Sequence, residues 1–221
     1  MSDLRRLISW LLLALVAVVG LGGAVLGTAL APKNAPLEKA VSNTLAAPSY
    51  TQIVTEKTTQ GSESYFLVWQ APNRLGGYVQ SGNRRTYVYV LPSAKGPMEY
   101  QSVTVAADAS TEHLTFYRQP IQSAASVDPT KIYLHYAVGA KGVTSSGNTY
   151  TFTLTQTGST GTPETGTFVY TVNGPYVSQF NLTVANESVQ LVISDVGSSP
   201  PVRLPAGAKI LPLPTTTSPG T

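Results

Sequence analysis

The chain has 221 residues, 14 basic and 11 acidic, with a formal charge of +3 at pH 7 and only 11% charged residues. Soluble domains carry about 25%, so this composition, with its many Thr, Ser, Gly and Tyr, fits a β-rich exported domain, and its scattered basic residues form no stripe to track a phosphate backbone; nucleic acid is excluded as a partner. The absence of cysteine rules out a disulfide framework, a thiolate nucleophile, Cys-ligated zinc and a lipid-modified cysteine.

Ile8 to Leu30 is an uncharged run of 23 residues, which at about 1.5 Å per residue covers the roughly 30 Å of a bilayer core. A cleaved signal peptide is the competing reading, since Ala29-Leu30-Ala31 offers small residues for cleavage. The run exceeds a usual signal core, and Pro32 hinders cutting, so a retained anchor is expected. Arg5 and Arg6 precede the run, which predicts a cytoplasmic N-terminus (residues 1–7), a transmembrane anchor (8–30) and an extracytoplasmic remainder at the cell membrane. Gly23 and Gly27 form a small-xxx-small pair, a weak signal for helix pairing.

Residues 31–36 read as a linker, and Leu37, Val41 and Leu45 then recur at helical spacing until Pro48. From Tyr50 the period becomes two. The clearest strand runs are Tyr65-Leu67-Trp69, Tyr87-Tyr89-Leu91, Tyr150-Phe152-Leu154, Phe168-Tyr170-Val172, Phe180-Leu182-Val184 and Val189-Leu191-Ile193. Turn signals separate them: Asn73, Gly76-Gly77, Ser81-Gly82-Asn83, Ser146-Gly147-Asn148, Asn173-Gly174-Pro175 and Asn186-Glu187. An antiparallel meander is expected. Asp128-Pro129 supplies an N-cap and first helical residue, and Ile132, Tyr133 and Tyr136 follow at helical spacings, which predicts a helix over 128–138; Lys131 to Val138 also passes as a strand. Lys209-Ile210 closes the ordered domain (37–210), and 211–221, rich in Pro and Thr, is expected to be disordered.

No residue pattern calls for catalysis or a cofactor. His113, read as a strand residue, and His135, read as a helix-surface residue, lack metal-ligand spacing, and no nucleophile elbow or phosphate loop occurs. Glu56, Glu63, Glu99, Asp108 and Glu112 read as solvated charges on polar strand faces and turns. Arg84-Arg85 with Arg74 and Lys57 could form a basic rim for an anionic headgroup, or simply a solvated hairpin end. The aromatic set Tyr65, Trp69, Tyr78, Tyr87, Tyr89, Tyr117, Tyr133 and Tyr136 reads as core before pocket, because aromatics bury large area in any β domain.

Several stretches resemble the LolA/LppX-like family of lipoprotein and lipid carriers. Val68-Trp69-Gln70-Ala71-Pro72-Asn73-Arg74 is similar to the family's strand ending in a proline-arginine turn, and Arg84 to Val90 to the strand after it. Asp128-Pro129 resembles the start of its central helix, and Val189 to Gly197 with Val202 and Pro205 its closing strand and exit. The resemblance implies a mainly β, α+β fold: a curved antiparallel sheet or incomplete barrel with two short helices over the concave face. It implies an acyl-binding space lined by Trp69, Tyr87, Tyr89, Ile132, Tyr136, Tyr150, Phe152, Leu154, Phe168, Tyr170, Phe180 and Leu182. The retained anchor departs from the free or Cys-anchored carriers of that family. The expectation is therefore a non-enzymatic, membrane-tethered domain that binds a lipid, lipoglycan or lipoprotein acyl chain for transfer or sensing. The alternative is an envelope adhesion or assembly module acting on a protein partner. A carrier should leave an apolar cavity between helices and sheet, whereas an assembly module should pack that space and expose a patch or edge strand.

Overall fold

A computed structural model describes residues 34–157 and 163–213. The anchor, the N-terminal arginines and the last eight residues lie outside them, and among the described residues no helix is long and apolar enough to cross a membrane.

Helix α1 (Ala35–Ala46) begins earlier than the Leu37 periodicity suggested, because Pro36 occupies its first turn, where a missing N–H is no loss. Five strands follow in a meander: β1 (Ser49–Thr58), β2 (Gly61–Gln70), β3 (Arg74–Ser81), β4 (Arg84–Ser93) and β5 (Gly96–Ser102). After the short β6 (Val105–Ala106) comes β7 (Thr115–Pro120). A helical insertion then interrupts the strands: a 3-10 turn (Ala124–Val127), helix α2 (Pro129–Leu134) and a second 3-10 turn (His135–Ala137). A second meander comprises β8 (Thr144–Ser146), β9 (Thr149–Thr157), β10 (Pro163–Asn173), β11 (Tyr176–Val184) and β12 (Glu187–Ser194), and β13 (Lys209–Pro212) ends the fold.

The thirteen strands of the described residues belong to one sheet, ordered β13-β7-β5-β4-β3-β2-β1-β12-β11-β10-β9-β8, with β6 paired to β4. The two meanders join where β1 pairs antiparallel with β12, Val54 opposite Leu191. The pairings are antiparallel except that of β13 with β7. The expected helix is real but short: Asp128 caps it by accepting from the Thr130 amide, and α-geometry gives way to 3-10 after Leu134.

Three local readings are corrected. Gly76 and Gly77 are not a turn but the middle of β3, where the missing side chains admit neighbours: a Cβ on Gly77 would fall 1.9 Å from the Phe66 carbonyl oxygen, and one on Gly76 2.5 Å from the Tyr89 ring. Leu211 and Pro212, assigned to a disordered tail, belong to β13 because its backbone finds partners on β7. His113 sits exposed in a turn at φ 62°, outside any strand.

One face of the sheet carries the principal core. Tyr50, Val54, Tyr170, Val177, Phe180 and Leu191 project from it and, with Leu37, Leu134 and Ala137 of the helical layer, are fully buried. A smaller cluster on the opposite face gathers Tyr87, Leu114 and Phe116, with Tyr89, Tyr100 and Leu204 packed against it.

Candidate functional site

Strand alternation decides which predicted residues meet. Trp69, Tyr150, Phe152, Phe168, Tyr170, Phe180 and Leu182 all point to the helix-covered face. Their rings interlock: Phe152 stacks on Phe168 with centroids 5.0 Å apart, Tyr170 lies 4.9 Å from Phe180, and Phe180 stacks on Tyr133 of α2 at 5.2 Å. Tyr136 packs on Phe168 at 5.2 Å from the second 3-10 turn, half-buried like Leu154 and Ile132. Tyr136 and Leu154 pack against the edge of this core, whereas Ile132 is not among the side chains packed on it. Tyr87 and Tyr89 are separated from the rest, on the opposite face. Tyr50, Tyr170, Phe180, Leu191 and Leu134 expose no surface at all, so at these positions sheet and roof pack side chain against side chain.

A polar seam crosses this apolar layer. Asp128, fully buried, accepts hydrogen bonds from the Tyr50 hydroxyl, from Gln52 Nε2 at 2.8 Å and from the Thr130 amide at 3.1 Å. Gln52 Oε1 accepts from Thr130 Oγ1 at 2.7 Å. One turn of strand further along, Glu56 accepts from the Tyr133 hydroxyl at 3.0 Å and from that of Tyr65 at 3.3 Å, and Tyr65 also donates to Glu63 at 3.1 Å. Burial raises the carboxyls of both Glu56 and Asp128 above the ordinary range against the pull of these hydrogen bonds. Burial also pushes the Tyr50, Tyr65 and Tyr133 hydroxyls upwards, keeping them protonated donors. Glu56 is therefore no solvated surface charge, because strand alternation turns it inward under α2. It borders a partly open recess of about 180 Å³ lined also by Glu63, Thr58, Gln60 and Ser81.

Lys131 lies 4.3 Å from the Trp69 ring centroid and donates to the Leu45 carbonyl at 3.1 Å, tying α2 to both β2 and α1. The buried Trp69 indole N–H has no protein acceptor.

The opposite face carries two open grooves. One, of about 230 Å³, runs over Phe66, Gly76, Tyr78, Tyr87 and Tyr89 beside the strap Pro201–Arg203; the other, of about 610 Å³, continues past Tyr89 to Pro205 and Ala206. Gln70 Oε1 accepts from the Val202 amide at 2.9 Å, and Arg74 donates to the Val202 carbonyl at 3.4 Å, holding the strap to the sheet. Beyond it, Val192, Ile53, Phe66, Tyr78 and Tyr87 face one another across five adjacent strands. Ile53 is 43% and Val192 38% exposed.

The expected basic rim is divided. Arg84 and Arg85 stand at the β3–β4 hairpin, while Arg74 stands at the far end of β3. Arg85 is spent locally, lying 4.4 Å over the Tyr78 ring and donating to Gln80 Oε1 at 2.9 Å. Among the described residues no three His, Cys, Asp or Glu side chains converge as a metal site.

Two solved structures are similar to this chain. LprF from Mycobacterium bovis aligns with a TM-score of 0.44 at 13% identity, over 78% of this chain and 95% of its own. The Mycobacterium tuberculosis lipoprotein LppX aligns with a TM-score of 0.43 at 15% identity, over 76% and 97%. No family model and no curated protein matches the sequence.

Proposed function

We propose that the chain is a membrane-tethered extracytoplasmic domain that holds the acyl part of a lipid, lipoglycan or lipoprotein between the sheet and its helical roof, for handover or sensing at the membrane surface. The observation that carries this reading is the way the roof is fastened. Helix α2 meets the sheet through Leu134 and the Tyr133 ring, and beside them through the hydrogen-bonded seam of Asp128, Gln52, Thr130, Glu56 and Tyr133. Water or a polar headgroup can replace such bonds at small net loss, whereas an all-apolar seam would expose its whole area on opening. A chain entering beside the half-buried Leu154 and Tyr136 would meet the stacked rings of Phe152 and Phe168.

The packed interior sets an energetic bound. About sixteen methylenes contribute roughly 13 kcal/mol on burial, and association costs about 5 kcal/mol. The roughly 8 kcal/mol left corresponds to micromolar binding, so opening the roof must cost less than about 4 kcal/mol for binding to stay in the millimolar range or better. Purified full-length protein, extracted with organic solvent, is expected to yield an acylated lipid by mass spectrometry, and Leu154→Trp is expected to reduce it. An extract without lipid, together with no uptake of added phospholipid, would refute this function.

A second reading rests on the exposed row containing Ile53 and Val192. This row is suited to an envelope protein docking on the uncovered face, which makes the domain an assembly module. Ile53→Asp would then abolish a co-purifying partner while leaving lipid content unchanged.

A further inference from the structure

A loop beside the start of the domain presents the most exposed of the large hydrophobic side chains in the described residues. Val138 is 61% exposed although its neighbour Ala137 is fully buried. Its backbone is held on both sides: the Val138 amide donates to the His135 carbonyl at 3.1 Å, and the Ala140 amide to the Ala137 carbonyl at 3.3 Å. Gly139 and Gly142, at φ 71° and 67°, allow the chain to reverse tightly around it, and Lys141 between them is exposed. An aliphatic side chain held outward by a hydrogen-bonded turn loses little further entropy on docking.

The position of this loop is fixed by Asn34. That side chain, 6% exposed, donates to the Ala140 carbonyl at 3.2 Å and to Glu38 at 3.0 Å. Only residues 31–33 separate Asn34 from Leu30, the end of the apolar run. Four Cα steps span at most about 14 Å even when fully extended. If the run remains in the bilayer, as the proposed function assumes, Asn34 and the loop bonded to it must lie next to the headgroups.

We infer that the loop Val138–Gly142 is a membrane-docking element, with Val138 entering the interfacial layer and Lys141 meeting anionic headgroups. It holds the roof, whose second 3-10 turn runs directly into Val138, at the lipid surface.

The chain has no cysteine, so single thiols can be labelled cleanly. Full-length Val138→Cys, Val192→Cys and Val16→Cys, each carrying an environment-sensitive fluorophore, are reconstituted into nanodiscs of phosphatidylcholine and phosphatidylglycerol with or without acyl-brominated lipid. The label at 138 should emit to the blue of the label at 192 and lose intensity in brominated discs, while the label at 192 does not. Adding Lys141→Glu should weaken that quenching in discs containing phosphatidylglycerol and leave it unchanged in pure phosphatidylcholine. An unquenched label at 138 with a quenched label at 16 overturns the docking loop and leaves the anchor standing. With neither label quenched, the anchor fails and the loop inference falls with it.

Discussion

Replacing Glu56 by Gln tests whether a buried, proton-holding carboxyl underlies the roof. Gln is isosteric: its carbonyl accepts the Tyr133 hydroxyl in place of Glu56 Oε1, and its amide can donate to Tyr65, which keeps its bond to Glu63. Burial raises the Glu56 carboxyl in the folded state, so the native protein binds that proton more tightly than the unfolded chain does. The stabilisation is fully present below the unfolded value near 4.5 and is lost as pH rises through the higher folded value. The limiting slope is about 1.4 kcal/mol per pH unit. Asp128, also raised by burial, acts in the same direction, so wild type keeps both contributions and the variant only one. Denaturant unfolding of the full-length chain in detergent at about pH 4 and about pH 8 isolates the difference. Glu56→Gln should match wild type at the lower pH and exceed it at the higher by about 1.4 kcal/mol for each unit by which the folded value is raised. An equal stability difference at both pH values would refute the buried protonated carboxyl.

Other positions follow from packing. Phe180→Ala removes a fully buried ring that touches Tyr133, Phe168 and Tyr170, and should cost about 3–5 kcal/mol in the same titration. Gly77→Ala, forced against the Phe66 carbonyl at φ 156°, should abolish cooperative unfolding and the near-ultraviolet signal of the aromatic core. Gln70→Ala releases the strap at Val202; losing about 1 kcal/mol there should speed tryptic cleavage after Arg203 roughly fivefold.

The sheet and its covering helices were legible because their signals are local. Period-two runs such as Phe168-Tyr170 and Phe180-Leu182 mark the buried face directly, and Asp128-Pro129 marks a helix start without reference to anything distant. Eight of the expected ligand-lining residues, Leu154 among them, share one face because alternation holds along each strand. Tyr87 and Tyr89 look identical in sequence to that set, yet they fall on the other face, since the face of a strand is set by its register with Tyr78 and Gly76. The polar seam was illegible for a related reason. Nothing within a few residues of Glu56 or Gln52 shows that α2, more than seventy positions later, settles on them. Gly76-Gly77 resembled a turn because the rule for glycine pairs is conformational, whereas here the requirement is for space against Phe66 and Tyr89.

The pairing of β1 with β12 has a consequence for how the protein comes into being. Thr51 meets Ser194 across the sheet, so an early strand waits for one of the last before its second edge is satisfied. Until then the first hairpin carries an open row of amides and carbonyls, ready to pair with any passing strand. Such long-range closure makes folding slow relative to helical domains of similar size. A chain made from its N-terminus onwards passes much of its synthesis with this edge unprotected, so a chaperone should matter more for its yield than for its final stability.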